Sequence, residues 1–396
     1  MLNKIRVIFP NAPTIKVELD VLKSLGSEIF AAGKKTLSAE TAQKLYAPGR
    51  KMRADVSRIE HFNECPFKYF SKYGLNLQER VEYKVQVPDI GNILHAIMSN
   101  FGRQLKQENR PWSSVGAVEL GGRVDKILDT ITPRLHNKIL LSTKTLEHRR
   151  ERIKKVAVES LTRLIELDKA SEFHPQIFET NFHDEKKFAD VEINLNGRVD
   201  RIDLSGDGKY FLIIDYKTGK ATLSLQKIFS GLSLQLAIYL GAAKNLSEVG
   251  ERDPGAMLYC LIKMSNKSGR TDSDAAQEAD KELKMPGLIR VDEEIKNAVD
   301  STGNFVDFSK KNLVSRDDLQ IIINYAEKLL EATAEKILNG CIEVKPAKFS
   351  NDDDACKHCL FSALCNFDRA INETLTPVKL KRDEIISAMN KFISGK

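Results

Sequence analysis

The chain has 396 residues, 42% of them hydrophobic and 29% charged, enough for two domains or one large one around a sizeable core. No run of eighteen apolar residues occurs and the first residues lack a long apolar stretch ending in a small-residue cleavage site, so neither a membrane span nor a secretory leader is expected. The formal charge of +6 permits a nucleic-acid partner without arguing for one.

The expected compartment is the reducing cytoplasm, where clustered cysteines are more often metal ligands than disulfides. Residues 1–50 carry no chemical motif, and a strand-like KIRVIF runs at once into a Pro-containing turn. From 57 to 75, SRIEHFNECPFKYFSKYGL surrounds Cys65 with Phe62, Phe67, Tyr69, Phe70 and Tyr73. Residues 89–106 place apolar side chains at 90, 94, 97, 98, 101 and 105, a helical period. His95 lies beside that stripe, and from these residues alone it reads as a satisfied core histidine. Further helices are predicted at 113–132 and 145–170. Within the second, HRRERIKK (148–155) reads as the solvated face of a helix whose apolar stripe runs through Val156, Leu161, Leu164 and Ile165. A phosphate-tracking surface is the alternative.

Strands are predicted at 175–183, 187–195, 197–204 and 210–217, followed by a helix at 226–245 and a buried strand at 256–264. A polar, irregular insertion is expected at 265–310, then a helix at 317–339 that stops at Gly340. The fold class is therefore mixed α/β, a short mixed sheet flanked by helices.

The richest stretch is NGRVDRIDLSGDGKYFLIIDYKTGK (196–220). Asp207-Gly208 is the natural two-residue hairpin turn, which sets Gly206 opposite Lys209 and Asp200 opposite Asp215. Their β-carbons would then stand roughly 5 Å apart, with Lys217 on the same face as Asp215. Opposed carboxylates repel each other. A divalent cation between them removes the repulsion, and oxygen ligands suit Mg2+ or Mn2+. A neighbouring lysine can orient or deprotonate the attacking water, or offset charge on a phosphate. The alternative is a surface hairpin with weak exposed ion pairs, and a bulge would shift the register. Glu179, in the preceding strand, can supply a third carboxylate. Gln235 and Tyr239 lie four apart on one helix face, unless they simply edge a buried helix. Near the end, ACKHCLFSALC (355–365) sets three thiols at C-x2-C-x5-C spacing, one short of a structural zinc site or an iron–sulfur cluster. Cys260 sits in a buried strand, where a free cysteine acts as a small hydrophobe. No GxxxxGK[ST] phosphate loop occurs, so the chain by itself is not expected to be an ATP-driven motor.

Glu179, the GRVD ending at Asp200, the IDYKTG with Asp215 and Lys217, and the Gln-x3-Tyr of 235–239 resemble the RecB-type branch of the PD-(D/E)xK nucleases. Gly91–His95 matches the GxxxH of that branch. SRIEHFNECPFKYFSKYGLNLQER, DIGNILHAIM, AMLYCLI, KMPGLIRVD and the terminal cysteines narrow the likeness to the nuclease region of the AddB family, the B subunits of bacterial helicase–nucleases. The resemblance implies a restriction-endonuclease-like core and a Mg2+-dependent DNA exonuclease that cuts single strands during double-strand-break resection and recombinational repair. It implies Glu179, Asp200, Asp215, Lys217, Gln235 and Tyr239 as catalytic residues. His95, Asp200, Asp215 and the backbone carbonyl of Tyr216 would be the metal ligands. A 4Fe–4S cluster on Cys65, Cys356, Cys359 and Cys365 would staple the two ends of the domain, leaving out Cys260 and Cys341. Implied partners are DNA ends and single strands and an AddA-type helicase subunit, with no membrane. Residues 51–396 would form the nuclease domain and 1–50 the remnant of a helicase-like region or a linker. Two alternatives stand: a free-standing RecB-like iron–sulfur exonuclease of the CRISPR-adaptation type, and a nuclease-dead DNA-end-binding module.

Overall fold

The computed structural model describes residues 36–78, 87–132, 144–219, 221–263, 283–350, 353–369 and 372–395. The KIRVIF strand expectation and most of the first fifty residues lie outside these. One mixed sheet of seven strands organises the chain. Its strands are β1 (Lys51–Arg53), β2 (Phe173–Phe188), β3 (Val191–Ser205), β4 (Tyr210–Lys217), β5 (Asp253–Leu261), β6 (Gly287–Arg290) and β7 (Leu313–Val314). The hub is β3, antiparallel to β2 along almost its whole length. Its other edge takes β1 in parallel at 192–194 and β4 antiparallel at 201–204. Beyond β4 come β5 in parallel, β6 antiparallel and β7 in parallel.

Strands β4 and β5 read as continuous apolar runs, FLII and AMLYCL, because helices cover both faces. On one face lie α1 (Ala39–Tyr46) and α2 (Val56–Glu64), the latter followed by the short α3 (Pro66–Tyr69). The opposite face is covered by α4 (Val87–Gln107), α5 (Ala117–Ile131) and α6 (Lys144–Ala170). The first face is completed by α7 (Leu225–Phe229) and α8 (Gln235–Ala243), the second by α9 (Glu293–Val299). Helix α10 (Arg316–Leu338) packs on the first face, α11 (Ser362–Cys365) carries the last cysteine, and α12 (Arg382–Ser394) lies against α10. Strand alternation divides the cores. Phe211, Ile213, Met257 and Tyr259 belong to one; Leu212, Ile214, Tyr216 and Leu258 belong to the other.

Four expectations change in detail. The strands predicted at 187–195 and 197–204 are the single β3, joined to β2 by a tight turn in which Ala189 takes φ 50°. The connection between β3 and β4 has four residues rather than two. A β-turn closes with Gly208 N–H on Ser205 O at 3.1 Å, and Gly208 takes φ 77°. One residue is added on each side of the turn, so the predicted register survives, with Arg201 opposite Ile214 and Leu204 opposite Phe211. The helix predicted at 226–245 breaks into α7 and α8 at Gly231, φ 73°. Finally, 265–310 is not irregular throughout. Its GLIR is the buried strand β6, where Gly287 passes so close to β5 that a Cβ would meet Met257 O at 2.1 Å. Residues 264–282 lie outside the described set.

The basic run 148–155 lies mostly on the outer face of α6, over buried Leu161, Leu164 and Ile165; Val156 is only partly buried, and Ile153 and Ala157 extend the buried stripe instead. Two of its cations are already engaged: Arg150 with Asp129 at 2.7 Å and Lys154 with Asp125 at 2.8 Å.

Candidate active site

Just beyond the Arg201–Ile214 pair the β3–β4 ladder opens, and the two expected carboxylates stand in the gap. Asp200 Oδ2 accepts the Tyr216 N–H at 2.9 Å, a bond that replaces the missing ladder contact. From α4, on the other face, His95 Nδ1 stands 3.2 Å from the same oxygen, its ring edge-on to Tyr216. From α8, Gln235 Nε2 donates to Asp215 Oδ1 at 2.6 Å while Gln235 Oε1 accepts from Lys217 Nζ at 2.8 Å. One amide therefore joins the carboxylate to the lysine. Lys217 Nζ also pairs with Asp215 Oδ2 at 2.6 Å, and among the described residues no other group donates to this buried oxygen. Asp200 and Asp215 are only 6% and 3% exposed.

Burial, together with the charge of Asp200, raises Asp215 to about 6 against the pull of Lys217 and His95. Burial pulls His95 down, but its hydrogen bond to Asp200 and the charges of Asp200 and Asp215 outweigh this and leave it raised. Tyr239, one turn along α8, is buried edge-on to Phe182 and raised to about 12 by burial and by Asp215. Gly197 of the GRVD stretch lets this pair close over the strand, since a Cβ there would lie 2.4 Å from Phe182 and 3.0 Å from Tyr239.

Glu179 falls opposite Asp200 between the pairs Phe178–Arg201 and Thr180–Val199. It takes φ 46°, and alternation inverts there: Ile177 and Phe182 face the same core although five residues apart. Its two oxygens stand 3.5 and 3.6 Å from Arg103 and Arg198.

One residue of the site escaped the sequence reading. Glu60 of α2 turns its carboxyl end inward, where Oε1 accepts the N–H of Leu234 at 2.7 Å and of Gln235 at 3.2 Å. Burial raises it to about 7. A cap donated by a remote helix leaves no local pattern, so only the unusual carboxylate within an aromatic-rich stretch could have signalled it.

At the far side of α2, Cys65 is buried, and burial holds its pKa up against the pull of nearby backbone N–H groups of Lys68, Lys345 and Phe67. Backbone bonds tie this segment to the C-terminal part: Phe67 N–H to Glu343 O at 3.1 Å and Ala347 N–H to Glu64 O at 2.8 Å. Burial raises Cys356 to about 11, with Asp354, Cys65, Cys359 and Cys365 adding to the shift, so the four thiols are electrostatic neighbours. Cys260 is enclosed in β5, and Cys341 bridges to Thr36. Among the described residues, no three His, Cys, Asp or Glu side chains close on a common point as a metal centre would require. The donors themselves suit such groups: two buried carboxylates for a hard cation, and four thiols that are electrostatic neighbours for an iron–sulfur cluster.

Asp215 and Glu60 both titrate above their ordinary values of 3.8 and 4.5. At these two groups the folded chain binds more protons than the unfolded chain between about pH 4 and pH 7, so their contribution to metal-free stability falls as pH rises through that window. Asp215→Asn removes one of the two buried charges and leaves Lys217, a third exposed, to find water. We expect it to melt a few degrees above wild type at pH 8 and to converge with it toward pH 4, in thermal melts with a chelator.

The family model of the PD-(D/E)XK nuclease superfamily matches residues 54–366. The chain is 30% identical over 393 residues to the ATP-dependent helicase/deoxyribonuclease B subunit of Clostridium perfringens, covering 91% of this chain and 34% of that protein. A protein of the same name from Desulforamulus reducens is 28% identical over 380 residues, covering 88% and 32%. Another from Clostridioides difficile is 30% identical over 352 residues, covering 80% and 30%. The chain thus spans about a third of the length of these relatives. Among the described residues no helix is long and apolar enough to cross a membrane.

Proposed function

The chain belongs to the PD-(D/E)XK nuclease superfamily, and from that premise we propose that it is a Mg2+- or Mn2+-dependent deoxyribonuclease cutting single strands during double-strand-break resection. The observation that carries this reading is the pair of buried carboxylates, Asp200 and Asp215, with Asp215 Oδ2 held only by the Lys217 ammonium. Asp200 and Asp215 would hold the cation, with His95 and the Tyr216 carbonyl completing its shell. When bound, the cation supplies Lewis-acid charge for attack of water on phosphorus.

The chain's own side chains do the rest. Lys217, reaching from buried backbone to a partly exposed Nζ, holds or passes the proton of the attacking water, or neutralises phosphate charge. Gln235 fixes Lys217 against Asp215, so the cation and the ammonium keep a set separation. Tyr239 closes the apolar side and keeps water out. Glu179 is the third carboxylate of this reading, and its neighbours Arg103 and Arg198 would meet a DNA phosphate. Cys65, Cys356, Cys359 and Cys365 hold a 4Fe–4S cluster in the same reading. The relatives' name, a subunit of an ATP-dependent helicase/deoxyribonuclease, supports a place within a helicase–nuclease complex; in this reading the partner is an AddA-type helicase subunit, the substrate DNA ends and the compartment the cytoplasm.

Lys217→Ala tests the assignment. Cleavage of a labelled single-stranded oligonucleotide in Mg2+ should drop on the order of a thousandfold. Calorimetric Mn2+ affinity should stay near that of wild type, because the lysine is not a ligand. A variant that cleaves normally, or loses its metal, overturns this division of roles.

A further inference from the structure

We propose that Glu60 is a positioning residue for cleavage: it anchors the start of α8 from α2, and thereby holds the Gln235 amide that joins Asp215 to Lys217. The inference rests on the nuclease reading of those three residues. Helix α8 has no side-chain cap of its own; Leu234 occupies the cap position, and the first N–H groups would be orphaned. The local candidate, Ser233, is engaged with Tyr259 instead. Glu60, 174 residues before Leu234, takes both N–H groups on one oxygen. Its negative charge is also within reach of Lys217, which stands 5.3 Å over the Tyr259 ring.

A second grip lies just before the same helix. Asn63 Nδ2 donates to Gly231 O at 3.0 Å, and Thr333 Oγ1 reaches Asn63 Oδ1 at 3.3 Å. Gly231 is required there, since a Cβ would meet Asn63 Nδ2 at 2.3 Å. The bend between α7 and α8 is thus held at two points by one rigid element. A carboxylate placed merely to stabilise α8 could sit anywhere on its first turn. This one fixes the residue whose side chain bridges the two groups of the chemistry.

The experiment is a double-mutant cycle in the full chain, with Mg2+-dependent cleavage of a short single-stranded oligonucleotide as readout. Glu60→Ala should lower kcat on the order of a hundredfold with KM for the DNA unchanged, as expected for displaced catalytic groups. In a Gln235→Ala background the same change should cost nothing further, because the group it positions is gone. Glu60→Gln, which keeps an acceptor oxygen, should recover to within about tenfold of wild type. Independently of activity, amide hydrogen exchange at Leu234 and Gln235 should rise in Glu60→Ala. Should that variant fail to fold, Glu60→Met, similar in volume and without an acceptor, enters the same cycle. Equal losses in both backgrounds, or wild-type kcat in Glu60→Ala, overturn the proposal. Asp215→Ala is run alongside: if it still cleaves, the reading of the site has failed, not the role of Glu60 within it.

Discussion

Asp215→Ala is expected to lower Mg2+-dependent cleavage by about three to four orders of magnitude while changing affinity for single-stranded DNA little. The two effects separate because they rest on different groups. Asp215 is buried at the end of β4, and one of its oxygens is taken by Gln235 while the other pairs with Lys217. Removing it takes away a charge that the cation needs and the partner that fixes Gln235 and Lys217. DNA affinity depends instead on dispersed basic side chains and stacking aromatics, none of which Asp215 supports. Cleavage kinetics and fluorescence anisotropy on the same oligonucleotide check both halves. A purified variant that keeps Mg2+-dependent cleavage would remove Asp215 from the site.

The second large effect concerns the other end of α2. If Cys65 completes a cluster with Cys356, Cys359 and Cys365, the wild type should be brown, with broad absorbance near ~400 nm and about four irons per chain. Cys65→Ala should be colourless. It should also loosen residues 57–75 and 355–368 together, because metal-binding energy is folding energy. The backbone bonds of Phe67 to Glu343 and of Ala347 to Glu64 tie Cys65 to the stretch of chain that leads into the cysteine loop. Limited proteolysis should therefore cut both segments in the variant and neither in wild type. Cys341→Ala should keep its iron. The opposite pattern, with iron retained in Cys65→Ala and lost in Cys341→Ala, would identify Cys341 as the fourth ligand.

The parts of this molecule set by short-range rules could be read directly. The β3–β4 register follows from a turn whose centre is fixed by Asp207 and Gly208, and the carboxylates follow from the register. Helices α4, α6 and α10 were visible because each buries one periodic face. What stayed hidden depends on contacts between distant segments. GLIR is too short, and follows too directly on Pro286, to announce β6; it is a strand because β5 offers an open edge. The break before α8 comes from Asn63 filling the space beside Gly231, and Glu60 caps a helix that it meets only in the folded state. The pairing of Glu179 with Arg103 and Arg198 depends in the same way on where β2 bends.

If Glu179 serves cleavage as proposed, that bend sets heat resistance against activity at a single codon. At φ 46°, position 179 is one where glycine or asparagine is at ease and glutamate is strained, at a cost on the order of 1 kcal/mol. Laboratory evolution that rewards only survival of heating should drift there toward glycine. Evolution that rewards destruction of DNA should retain the glutamate, generation after generation, against its own conformational preference.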